Sequence, residues 1–140
     1  MTTSDEQAAR EETLALLQKF QTLLAEQRFD EWIDLWADDG VCEYPYAAEG
    51  RPRRLVGKDE IYEHVTQYPG RVTMHGIDEF RLHLGSDPNV VVVEMTIRAT
   101  ATETGRPYNQ QLVLIGETRD GKVTHYREYW NPLIWAEAFA

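Results

Sequence analysis

The hydrophobic pattern of this 140-residue chain changes period once, near residue 70. Before that point apolar side chains recur every three to four residues; from Arg71 onward they alternate. The first period presents one face of a helix and the second one face of a strand, so helices precede strands. That order predicts an α+β domain with the helices packed on one side of a mainly antiparallel sheet.

Leu17, Phe20 and Leu24 form one helical row, widened by Leu16 and Leu23, in a segment from Ser4 to about Glu26. Ser4 followed by Gln7 fits a capping box at its start. A second helix is predicted from Asp30 to Ala37, burying Trp32, Ile33 and Trp36, with Gly40 as a left-handed cap. Val41 to Tyr44 reads as a short strand, and residues 45–56 as an irregular loop through Pro45 and Pro52. Gly57-Lys58-Asp59 opens a third helix with Ile61, Val65 and Tyr68 on its face, stopped by Pro69-Gly70. Phe80, Leu82 and Leu84 then alternate with Glu79, Arg81 and His83. Turns at residues 86–89 and 105–107 bound strands at Val90–Thr102 and Tyr108–Glu117, and Arg119-Asp120-Gly121-Lys122 leads into a last strand.

Composition excludes several functions. The 14 Lys and Arg face 24 Asp and Glu, a formal charge of −10. Phosphate backbones and anionic membrane surfaces need clustered basic groups, so neither nucleic acid nor membrane is an expected partner. Cys42 is the single cysteine, which leaves no intramolecular disulfide and no paired-cysteine metal site. The N-terminal segment is polar and acidic, and no run of 18 apolar residues occurs. One cytoplasmic domain spanning residues 1–140 is the expectation.

The last strand holds the most suggestive constellation. Strict alternation places Glu128 on one face with Thr124, Tyr126 and Trp130, and Val123, His125, Arg127 and Tyr129 on the other. A carboxyl among aromatic rings is either a buried acid whose pKa is raised toward neutrality or an edge residue in water. His64 shares a helix face with Ile61 and Tyr68, as a proton-transfer partner or as packing at the core's edge. Tyr44 and Tyr46 flank the exit of the first strand, where a hydroxyl could meet a developing oxyanion or merely fill the wall. Asn109 and Gln111 share one face, with Gln110 opposite; amides facing inward would orient a polar ligand. Glu94, Thr96 and Arg98 alternate opposite Val91, Val93, Met95 and Ile97, as a cross-strand network or a dimer surface. Arg51, Arg53 and Arg54 form the one basic cluster, either a lid over an anion or a solvated loop. His75, His83 and His125 are weaker candidates, and no His has a partner at metal-ligand spacing, so no metal and no cofactor is expected. The apolar tail Leu133–Ala140 is expected to pack over the sheet's mouth or against a second subunit.

The element order, with Trp32-Ile33-Asp34-Leu35-Trp36-Ala37-Asp38-Asp39-Gly40 before the first strand, resembles the nuclear transport factor 2-like superfamily. That group includes ketosteroid isomerase, scytalone dehydratase, limonene epoxide hydrolase and the SnoaL-like polyketide cyclases. The resemblance implies a cystatin-like cone, a curved sheet wrapped around about three helices and enclosing an apolar pocket. Gly57 to His64, Tyr108 to Gln111 and Arg127 to Pro132 look like segments of the phenazine-biosynthesis PhzA/PhzB proteins. In that family a helical His and a last-strand Glu act as acid/base groups, and they match His64 and Glu128. A family Arg falls at Trp32 and a family Ser at Tyr68, departures that imply a pocket of different chemistry. Arg98 with an acid is similar to the Asp-Arg-Asp set of the epoxide hydrolases, but the last strand lacks the matching Asp.

The resemblance implies a cofactor-independent enzyme, and a homodimer, holding an apolar carbonyl or polyketide-like small molecule. Glu128 and His64 would carry acid/base isomerisation, cyclisation, dehydration or condensation. Tyr44, Tyr46, Trp32, Tyr68, Asn109, Tyr126 and Trp130 would line the substrate site. The alternative is a dimeric binding or accessory module of the same fold that performs no chemistry.

Overall fold

The computed structural model describes residues 3–140. Helices α1 (Thr3–Ala25) and α2 (Phe29–Ile33) precede strands β1 (Trp36–Glu43) and β2 (Arg54–Val56). Helix α3 (Lys58–Val65) and a 3₁₀ turn at Tyr68–Gly70 lead into β3 (Val72–Leu84), β4 (Val90–Ala101), β5 (Gln111–Arg119), β6 (Lys122–Trp130) and helix α4 (Pro132–Ala138). The strands form one curved, unclosed sheet in the order β2-β1-β6-β5-β4-β3. Only β1 and β6 run parallel; every other neighbouring pair is antiparallel. The α+β architecture expected from the change of period is the one observed.

α1 lies on the inner face of the sheet and buries Thr13, Phe20 and Leu23. The approach to β5 is close: a Cβ on Gly116 would sit 2.8 Å from Leu17 Cδ2, so a larger residue there would push the Leu17 side chain aside. Beside that contact, the Thr13 and Thr118 hydroxyls share a buried hydrogen bond of 2.9 Å. Phe20 then meets Trp32 and Tyr126 at centroid distances of 5.2 and 5.1 Å. Each such ring contributes about 1.5–3 kcal/mol by leaving water, and this aromatic cluster ties α1, α2 and β6 together.

Five local expectations are corrected. Ser4 lies within α1, and Gln7 donates to Glu11 one turn on, so no capping box forms there. The second helix stops at Ile33 instead of Ala37. Strand pairing overrides the helical spacing: Val123 N donates to Leu35 O at 2.8 Å, and Trp36 pairs with Val123. Gly40 consequently lies inside β1 and not at a left-handed cap; a Cβ there would come 2.6 Å from Trp36 Cε3. Tyr68 belongs to the 3₁₀ turn after α3. On β6, Thr124 is an extra residue opposite the step from Glu117 to Thr118. That bulge reverses the alternation, which buries Val123 completely and removes it from the His125 face.

The β5–β6 connection is the tight turn expected, with Asp120 and Gly121 both at positive φ (52° and 74°). After β6, Asn131 caps α4 by accepting from Leu133 N at 3.0 Å, with Pro132 at the first helical position. The tail folds back onto its own sheet: Trp135 and Phe139 pack against Tyr108 at 5.7 and 5.6 Å.

Candidate functional site

Past the bulge, β6 alternates as the sequence suggests. Tyr126, Glu128 and Trp130 stand opposite Gly116, Leu114 and Leu112 of β5, on the helix side of the sheet. Glu128 retains some accessible surface while its carboxylate is walled in by protein, the condition of a group at the bottom of a recess. Burial there pushes its pKa up to about 7, only partly offset by the hydrogen bond that Tyr126 donates at 3.2 Å.

Every neighbouring titratable group is shifted toward its neutral form. Burial raises the Tyr44 and Tyr126 phenols well above their ordinary range, and the Glu128 carboxylate adds to both effects. Burial likewise pushes the Tyr108 phenol and the Cys42 thiol up to about 12, with Glu128 contributing at each. Tyr68 shows its ring at the surface yet holds its hydroxyl enclosed, where burial, Tyr108 and Glu128 raise it strongly. Glu128 thus stands within reach of several phenols that remain donors across the physiological range.

His64 is brought to the same region without touching Glu128 directly. Its ring lies 5.4 Å from that of Tyr44, the residue between them. Burial, and then the charge of Arg51, lower its pKa, so the imidazole is neutral near pH 7. Tyr44 also meets Trp130 at 5.4 Å, and Trp130 stacks on Trp135 of α4 at 6.1 Å. Arg51 and Arg71 lie over that Trp135 ring, each 5.4 Å from its centroid. The site therefore runs from a carboxyl on β6, past Tyr44 and Trp130, to a rim of aromatic rings and guanidinium groups.

The remaining candidates divide cleanly. Trp32 is 2% exposed within the aromatic core, and its indole N–H has no hydrogen-bond partner. Tyr46 is 53% exposed and meets Tyr129, which lies on the face opposite Glu128. Asn109 is exposed and its amide oxygen accepts from Ala99 N at 3.4 Å, so it does not join the groups around Glu128. The inward positions are Tyr108 and Gln110, which pair with inward-facing Ala99 and Ile97. Gln110 is fully committed: it donates to Tyr108 Oη and Asn131 O and accepts from the Gln111 and Asn131 amides. The sequence pattern had separated Gln110 from Asn109, but which of them points inward is set by pairing with β4.

The other three histidines lie outside. His75 bonds Thr100, His83 bonds Glu94, and His125 bonds Glu43 with Glu117 nearby. Arg98 pairs with Asp78 at 2.8 Å, so the Arg-plus-acid pattern is a cross-strand ion pair on the outer face, not a second catalytic set. An open groove of about 440 Å³ crosses this outer face between Tyr46, Arg81, Glu94, Gln111 and Tyr129. None of the shifted carboxyl or phenol groups lines it. Among the described residues no three His, Cys, Asp or Glu side chains converge as a metal set. No described helix is long and apolar enough to cross a membrane.

Helices on one side of a curved sheet, with an enclosed acid on its last strand, define a nuclear transport factor 2-like cone. The chain belongs to the SnoaL-like domain family, whose model matches residues 17–126 and so ends two residues before Glu128. A PhzA/B-like protein of Pseudomonas aeruginosa is 34% identical over 107 residues, covering 76% of this chain and 75% of that one. The crystal structure of a candidate isomerase from Bacillus subtilis superposes with a TM-score of 0.85 at 37% identity, over 94% of both chains. A candidate polyketide cyclase from Xanthomonas campestris shares the fold at a TM-score of 0.79 and 15% identity, over 94% of this chain and 99% of that one.

Proposed function

We propose that this protein is an acid/base enzyme acting on an apolar carbonyl or polyketide-like small molecule. The reaction class is isomerisation, cyclisation, dehydration or condensation by proton transfer. The observation that carries this reading is the enclosed Glu128 carboxyl, whose pKa of about 7 divides it between acid and base at neutral pH. As a carboxylate it removes a proton beside a carbonyl; as an acid it returns one to a neighbouring atom. The phenols of Tyr44, Tyr68, Tyr108 and Tyr126, held neutral by burial, are the groups suited to donate to the oxyanion that develops. Neutral His64, beyond Tyr44, serves as a second proton acceptor for a substrate spanning both. The family, together with relatives described as a candidate isomerase and a candidate cyclase, supports the same general class.

Glu128→Gln tests the reading, because it keeps the shape of the side chain and removes its proton exchange. Turnover of a carbonyl substrate found by screening should fall by about 10²–10⁴ while binding of that compound stays within a few-fold. Full activity in the variant would favour a module that binds its ligand unchanged.

A further inference from the structure

The rim of the recess carries a charge the acid/base chemistry does not use. Arg51, in the loop after β1, and Arg71, just before β3, converge on one indole: each guanidinium carbon is 5.4 Å from the Trp135 centroid. Arg71 also lies 5.0 Å from the Phe139 centroid. Their charges repel, and burial together with Arg71 lowers the pKa of Arg51. In a chain of 24 acids and 14 bases, only some of the cations pair with carboxylates. Arg28, Arg81, Arg98 and Arg127 each lie against one. Among the described residues, the Arg51 and Arg71 side chains have neither an ion pair nor a hydrogen bond. Two cations left together without a counter-ion, partly shielded from water by aromatic faces, are costly unless something negative joins them. Their position relates them to the site. Arg51 acts on His64 electrostatically, and Trp135 stacks on Trp130, whose buried indole N–H has no acceptor.

We infer that the recess takes a ligand with an anionic oxygen group, a carboxylate or a phosphate, on an otherwise apolar body. Arg51 and Arg71 hold the anion at the Trp135 rim while the body extends past Trp130 and Tyr44 toward Glu128. Guanidinium groups present paired N–H donors that match such groups, and Trp135 and Phe139 keep both arginine side chains in place. The inference rests on the acid/base reading of the same site and adds the charge of its substrate. Below about pH 7, where Glu128 is mostly protonated, its carboxyl does not oppose the anion at the rim.

The test compares 2-naphthoate, 2-naphthyl phosphate and neutral 2-naphthamide by calorimetry, near pH 6, where Glu128 is mostly protonated. At least one anion is expected to bind about tenfold or more tighter than the amide, with the preference shrinking as salt rises. Which anion wins identifies the group. The Arg51→Gln/Arg71→Gln double variant should lose the preference and leave amide binding unchanged, and Arg51→Lys/Arg71→Lys should retain part of it. Equal binding of anion and amide, no binding of either anion, or a preference that survives the double Gln change would each overturn the inference. The wild-type salt dependence decides the matter even where a variant folds poorly. Titration of Glu128 in the ligand-free protein judges the acid/base reading separately, so the two failures are distinguishable.

Discussion

Tyr126 and Glu128 stand two residues apart on one strand, and the hydrogen bond between them opposes the burial that raises the carboxyl's pKa. Tyr126→Phe removes that bond and leaves the burial, so the Glu128 pKa should rise above its present value of about 7. Carbon-13 carboxyl titration checks it, and an unchanged or lower value would contradict the role given to the phenol. The same raised pKa has a consequence for stability. The folded state keeps the Glu128 proton up to about pH 7, whereas the unfolded chain releases it near the ordinary value of 4.5. Folding stability from this group is therefore full below the lower value and is lost as pH rises through the higher one. The cost above pH 7 is at most about 3 kcal/mol. Glu128→Gln should thus melt higher than the native protein at pH 8 and close to it at pH 4, which scanning calorimetry at the two pH values would show.

At the scale of elements, strand pairing wins over local pattern wherever the two compete. Leu17, Phe20 and Leu23 announce α1 because a 23-residue helix repeats its signal many times. Asp120-Gly121 announces its hairpin because few residues tolerate positive φ twice in succession. Trp32, Ile33 and Trp36 carry a helical spacing as well, but Trp36 is claimed by β6, and nothing local to residues 30–40 records that partner. The bulge at Thr124 is illegible for the same reason, since it is defined by what lies across in β5. Of the site, Glu128, Tyr126 and Trp130 could be grouped from alternation alone, whereas the inward turn of Tyr108 and Gln110 depends on β4. Cys42 and Tyr44 alternate toward the same recess, a signal present in the sequence whose direction only the sheet assigns. Gly40 follows from this account: Gly40→Ala should destabilise the fold by about 1–3 kcal/mol, because the added methyl meets both the Trp36 ring and the Ala37 carbonyl. Denaturant unfolding measures it, and a neutral effect would mean the Trp36 ring does not pack on β1 as described.

For the whole molecule, β3 is an edge strand of 13 residues whose apolar row the helices do not cover. Ile77, Phe80, Leu82 and Leu84 are between 46% and 56% exposed, more continuous apolar surface than a lone sheet edge usually presents. A second copy of the chain is the occupant that the family resemblance implies. Sedimentation should accordingly give twice the 16.2 kDa chain mass, and Phe80→Glu/Leu82→Glu should shift it to the single mass. A native protein that sediments as a single chain would leave β3 bare and contradict this assembly. The most direct test is the pKa of Glu128 in the folded, ligand-free protein, read by carboxyl carbon-13 titration with Glu128→Gln assigning the signal. The expected value is about 7. A value near ~4.3, that of a carboxyl in water, would mean a solvated side chain and would remove the basis for proton transfer at this site.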